Sequence, residues 1–180
     1  MKLLIASDLH GSAKYARALQ GLYEQEKPDK LVLLGDLLYH GPRNDLPEEY
    51  APKAVIEILN GLAPFILAVR GNCESEVDQM VLNFPLMADY GVLFLEGKSV
   101  YITHGHHIQD PGFLPLQPGD LLLYGHTHVG TQHLENGIVH LNPGSLSIPK
   151  DGHHSYMVYE NKSFTRKSLA GEVLGRWALA

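Results

Sequence analysis

"KLLIASDLHGSAKYARALQGLYEQEKPDKLVLLGD", residues 2–36, decides the fold class. Its ends, "KLLIAS" and "DKLVLLGD", are short apolar runs that read as buried strands. Between them "AKYARALQGLYEQE" repeats its alanines and leucines at helical spacing. Working outward, "KAVIEILNGL" is a second amphipathic helix ended by Gly61, and "PFILAVRGNCESE" is a third strand. Buried strands alternating with helices imply an α/β fold whose site lies in the loops at the carboxyl ends of the strands. From about Gly91 the pattern changes to short strands with turns: "GVLFLEG", "SVYITHG", "DLLLYGH", "GTQHLENG", "IVHLNPGS", "SYMVYEN" and "SFTRKSL". No repeat, low-complexity tract or linker divides the chain, so one domain over residues 1–180 is expected. Tyr90, Phe94 and Tyr101 alternate with strand spacing and read as core.

With 44% hydrophobic and 19% charged residues, the chain has the make-up of a globular protein, and disorder is not the default. No run approaches the roughly 18 apolar residues of a membrane span, and the apolar stretch at Leu3 is stopped by Asp8, too early for a signal-peptide core. No membrane partner and a cytoplasmic location are therefore expected. The single cysteine, Cys73, rules out an intrachain disulfide. A net charge of −6 argues against stable nucleic-acid binding, so phosphate chemistry would need a local positive charge.

Eleven histidines are many for this length, and most fall in loops after apolar runs. Five such loops deliver metal-capable side chains: Asp8 and His10, Asp36, Asn72, His104, and His126 with His128. Alternate residues of an extended segment point the same way, so Asp8 and His10 are expected to present donors to one side, as are His126 and His128. Glycines at 11, 35, 71, 105 and 125 flank the donors, where they permit positive φ and close approach of backbone.

The ordered set D-x-H, G-D, G-N, T-H-G-H and G-H-x-H resembles the calcineurin-like metallophosphoesterase superfamily. Within it, "GDLLYHGPRN", "RGNCESEVDQM" and "NPGSLSIPK" are similar to the YfcE-like group of small bacterial phosphodiesterases. The resemblance implies a four-layer α/β/β/α sandwich of two mixed sheets flanked by helices. It also implies a centre of two divalent metal ions: Asp8, His10, Asp36 and His128 hold one, and Asp36, Asn72, His104 and His126 the other. Manganese is the expected metal, and Zn2+, Fe2+, Co2+ or Ni2+ would suit the same mixed donors. The implied reaction is hydrolysis of a phosphodiester by in-line attack of a hydroxide bridging ions about 3.5 to 4 Å apart. Such a centre carries about +1 before substrate arrives, which favours a small diester anion over a monoester dianion. The alternatives are a phosphomonoesterase on the same centre and a non-catalytic scaffold of the same fold. A homo-oligomer, dimer or tetramer, is also implied, with Trp177 and "LPEEYAP" as contacts.

Many superfamily members carry a histidine after the G-N asparagine, where this chain has Cys73. The catalytic residues expected are Asp36, Asn72, Cys73 and His106, with His106 or His40 replacing the missing acid. Arg43 and Asn44 read as a solvated loop or subunit contact, with phosphate binding the competing role. Arg70 reads as structural, and "NPGS" as a turn supporting the metal loops. His133, His140, His153 and His154 have no partner at ligand spacing and read as surface or strand residues. "HHIQDPGFLPLQPGD" is long enough to wall or cover a site. The C-terminal "VLGRWALA" is apolar enough to dock on its own chain or on a neighbour.

Overall fold

The computed structural model describes residues 1–110 and 112–179. Pro111, inside the long connection before residue 120, and Ala180, at the end of "VLGRWALA", lie outside the described residues. β1 (Leu3–Ala6), β2 (Lys30–Leu33) and β3 (Ile66–Ala68) pair in parallel. Antiparallel β9 (Ser155–Glu160), β10 (Ser163–Ser168) and β11 (Val173–Ala178) complete a sheet of order β11-β10-β9-β1-β2-β3. The second sheet has the order β4-β5-β6-β8-β7. In it β4 (Tyr90–Leu95), β5 (Lys98–Thr103), β6 (Leu121–Leu123) and β8 (Ile138–Asn142) lie side by side, with β7 (Thr131–Glu135) at the edge. Val173–Ala178 of "VLGRWALA" thus docks on its own chain as β11.

Side-chain alternation divides the core in two. Leu4, Ala6, Leu31 and Leu33 pack beneath α1 (Ala13–Glu26) and α2 (Pro52–Gly61), through Ala16, Leu19, Val55 and Leu59. Leu3, Ile5 and Val32 point the other way and meet Val100, Ile102, Leu121, Leu123 and Leu141 of the second sheet. A strand buried on both faces needs apolar residues at every position, which is why "KLLIA" shows no alternation. The two mixed sheets with flanking helices implied by the resemblance are therefore present. On the outer side of the five-stranded sheet Phe113 packs on Tyr90, and Ile108 lies against Gly105.

Tyr90, Phe94 and Tyr101 are not core. Phe94 is 78% exposed and Tyr90 42%, whereas Leu93 and Leu95 face the intersheet core. Both parities of β4 are apolar, so alternation alone cannot choose the inner face; the position of β5, with Val100 and Ile102 inward, chooses it. A short helix not anticipated from sequence, α3 (Glu76–Val81), follows β3. Its signal was Ser75 three residues before Asp78, whose carboxylate accepts the Ser75 N–H at 2.8 Å. Among the described residues no helix is long and apolar enough to cross a membrane.

Candidate metal centre

Five strands that deliver donor loops run in the same direction within their sheets: β1, β2 and β3 in one, β5 and β6 in the other. Their carboxyl ends meet at one end of the sandwich. The first two loops run on as a ladder, the amides of Asp8, His10 and Gly11 donating to the carbonyls of Gly35, Asp36 and Leu37. Across the sandwich, the Gly125 amide donates to the His104 carbonyl at 2.8 Å.

The extended geometry expected for "DLH" and "HTH" is not what brings the donors together. Asp8 (φ 58°), His10 (φ 48°), Asp36 (φ 55°), His126 (φ 65°) and His128 (φ 59°) all lie in the left-handed region. Each costs of order 1 kcal/mol or more for a side chain with Cβ and persists only where surrounding contacts dictate it. Clustering of such residues marks a site built for geometry rather than for stability. Gly71 and Gly125 serve by close approach instead: a Cβ on Gly125 would meet Ser7 Oγ and lie 2.9 Å from Asp8 Oδ2.

The donor atoms converge in two groups. In the first, His128 Nε2 lies 3.2 Å and His10 Nε2 3.6 Å from Asp8 Oδ1, and the two Nε2 atoms are 3.2 Å apart. In the second, His104 Nε2 lies 3.1 Å from Asn72 Oδ1 and 3.2 Å from His126 Nδ1. Asp36 Oδ2 stands between them, 3.6 Å from His10 Nε2 and 3.4 Å from His104 Nε2, while its Oδ1 accepts the Cys73 amide at 2.9 Å.

Backbone carbonyls orient the imidazoles. His10 Nδ1 is 2.9 Å from Tyr39 O, His104 Nδ1 2.6 Å from Leu34 O, and His128 Nδ1 3.0 Å from Ile148 O. A ring that donates from Nδ1 presents a lone pair at Nε2, so the converging atoms are acceptors facing acceptors, an arrangement that calls for a cation. Asp8 Oδ1, buried with no hydrogen-bond partner among the described residues, completes the set. These residues fit a pair of divalent ions.

Without an ion, a proton takes the cation's part. Burial works to lower the proton affinity of His104, but its hydrogen bond to Asp36 and the charges of Asp8 and Asp36 raise it to about 9. Burial likewise works to raise Asp8 and Asp36, and the surrounding imidazoles hold both below their ordinary values. Burial and the Asp36 charge push Glu74 up to about 7 against three backbone donors. A group whose folded-state pKa exceeds its unfolded value contributes stability that is lost as pH rises through the folded value. Chelator-stripped protein is therefore expected to lose thermal stability as pH rises from about 7 to about 9, through His104. A Tm that stays level or climbs over that interval would contradict this balance.

Beyond "NPGS", expected as a turn supporting the metal loops, Glu74, Ser147 and Arg166 support the site with no signal in their local sequence. Glu74 accepts from the amides of Asp36 (2.8 Å), Leu37 (2.6 Å) and Gly71 (2.5 Å), tying the loop after β2 to the loop after β3. In "NPGS" and just beyond, Ser145 and Ser147 hydroxyls donate to the Asp8 carbonyl at 2.9 and 2.8 Å, and Asn142 Nδ2 donates to Gly125 O at 2.8 Å. Behind them the buried Arg166 bonds Asp151 (2.5 Å), Ser155 and the Pro143 carbonyl, and Asp151 accepts the Gly130 amide.

A cleft of about 360 Å³ opens beside the centre, lined by Asp36, Asn72, Cys73, His126, His128, Arg43, Asn44 and Lys150 among others. Arg43 and Asn44, expected on a solvated loop or subunit contact, therefore face the site, and Lys150, which the sequence did not single out, joins them. Cys73 is half-buried there, and burial with the charges of Asp36 and Glu74 pushes its thiol far up. His106, expected as the acid, does not line the cleft, and burial with the neighbouring His104, His107, His126 and Arg70 lowers its pKa to about 4. His40 does not line it either; its ring lies edge-on between Tyr39 and Tyr50. Arg70 pairs with Asp89 at 3.2 Å.

Residues 1–163 match the model of the calcineurin-like phosphoesterase superfamily domain. The phosphodiesterase YfcE of Escherichia coli (strain K12) is 48% identical over 162 residues, which cover 89% of this chain and 88% of that protein. The solved structure of YfcE, described as a phosphoesterase from E. coli, superposes with a TM-score of 0.94 at 45% identity, covering 100% of both chains. A Vps29 double mutant from Entamoeba histolytica reaches a TM-score of 0.68 at 19% identity over 100% of each chain, a likeness of fold alone.

Proposed function

The chain belongs to the calcineurin-like phosphoesterase superfamily, and from that premise we propose that it is a metal-dependent phosphodiesterase with a dinuclear centre. The observation that carries the reading is Asp36 Oδ2, set between two groups of facing acceptors at 3.6 and 3.4 Å. Asp8, His10, Asp36 and His128 would hold one ion, and Asp36, Asn72, His104 and His126 the other, with Mn2+ the proposed occupant. Two divalent ions so held supply a water of lowered pKa and positive charge for the phosphoryl oxygens.

The chain's own residues do the rest. The Cys73 amide fixes Asp36 Oδ1 and thereby aims Oδ2 between the two groups. Arg43 and Lys150, on the cleft wall, bind the non-bridging phosphate oxygens and align the leaving group opposite the attacking side. The Cys73 thiol stays protonated and neutral, a weak donor beside the leaving oxygen. Simple charge counting loses force here, because Arg43 and Lys150 would also help to neutralise a dianion. The preference for a diester is supported instead by the phosphodiesterase that is 48% identical.

Protein stripped of metal and reconstituted with Mn2+ is expected to hydrolyse bis(4-nitrophenyl) phosphate with a kcat/KM at least about tenfold above that for 4-nitrophenyl phosphate, a difference of about 1.4 kcal/mol in barrier. A faster monoester would move the substrate class. Two bound ions with no turnover of either compound would favour the scaffold.

A further inference from the structure

On the face of the five-stranded sheet opposite the intersheet core, the β7–β8 hairpin sets His133 directly across from His140. In sequence the two histidines have no partner; the hairpin supplies one. Their rings stack with centroids 4.9 Å apart and 14° between planes. Thr131, His133 and Glu135 alternate onto the same face of β7. Thr131 Oγ1 lies 2.8 Å from His133 Nδ1, and Glu135 Oε2 lies 3.7 Å from His133 Nε2. One donor atom each from His133, Glu135 and His140 falls within 4.8 Å of the other two.

The chemistry follows from what each side chain offers. The Thr131 hydroxyl occupies His133 Nδ1, and in the tautomer that donates Nδ1–H to it the Nε2 lone pair faces the Glu135 carboxylate, acceptor toward acceptor. Two imidazoles and one carboxylate suit Zn2+, Ni2+ or Cu2+ rather than the oxygen-seeking Ca2+ or Mg2+, with remaining positions open to water. The His107–Asp110 pair, 2.6 Å apart, has no third donor among the described residues and does not make such a set. We propose that His133, Glu135 and His140 form an accessory binding site for one transition-metal ion of the zinc type, separate from the centre at the strand ends. Because β7 is the edge strand of its sheet, an ion there would staple the edge hairpin across its two strands.

The test uses the whole chain dialysed against Zn2+, with bound metal counted by elemental analysis. His133 is exposed, so His133→Ala should fold, and it is expected to retain one equivalent fewer than wild type, while the exposed control His153→Ala matches wild type. Zn2+ should also shift the ring-proton resonances of both His133 and His140 in the wild-type protein. Equal metal content in His133→Ala and wild type, an equal loss in His153→Ala, or unmoved His133 and His140 resonances would overturn the site. The count is a difference between proteins that share an intact main centre, so failure of the dinuclear reading would lower all three alike.

Discussion

Asp36→Asn is expected to abolish measurable turnover, a fall of at least about 10³-fold or roughly 4 kcal/mol in barrier, and to deplete both ions together. The physical reason is that one oxygen, Oδ2, faces both donor groups, at 3.6 Å from His10 Nε2 and 3.4 Å from His104 Nε2. An amide of the same shape can still accept the Cys73 amide, so the loops should keep their course. What disappears is the negative charge that both cations would share. Elemental analysis of the variant beside wild type reads the outcome, and depletion of a single ion would contradict a bridging role. A second readout lies in the metal-free protein: His104 owes its raised proton affinity largely to Asp36, so the fall in Tm between about pH 7 and 9 should flatten in the variant.

Gly71→Ala should lower kcat by about 100-fold or more although Gly71 itself supplies no donor, because shifts near 1 Å in a reacting constellation carry penalties of that size. A Cβ at this position would overlap Asp36 Oδ1 and lie 2.6 Å from the Asp36 nitrogen and 2.7 Å from Glu74 Oε2. Neither neighbour can yield. Asp36 is held in the left-handed region at φ 55°, and Glu74 is locked by three backbone amides. The methyl group therefore displaces the carboxylate on which both donor groups depend. Steady-state kinetics at saturating Mn2+ separate the cases: unchanged kcat would mean that the loop yields without moving Asp36, whereas a fall in kcat with retained secondary structure supports the displacement.

Much of the architecture was readable from residues 2–36, because strands buried on both faces and a helix with one apolar stripe impose different periods on the chain. The candidate donors were readable for a related reason. Asp8, His10, Asp36, Asn72, His104, His126 and His128 each follow an apolar run, and the end of a buried strand is where a polar group can first face a cleft. Their local conformation was not. D-x-H and H-x-H spacing suggests an extended segment, while four of those residues adopt positive φ, held by contacts from loops far away in sequence.

The chain alone settled which residue types stand at the strand ends, since burial periodicity and donor chemistry are properties of short stretches. Tertiary structure alone decided what those stretches meet. It turned Phe94 outward, brought Arg43 and Lys150 to one cleft, put Glu74 and Arg166 beneath the loops, and stacked His133 on His140. The reason is range: periodicity is written within about ten residues, whereas sheet order and register arise from partners tens of residues apart, whose packing no local pattern encodes.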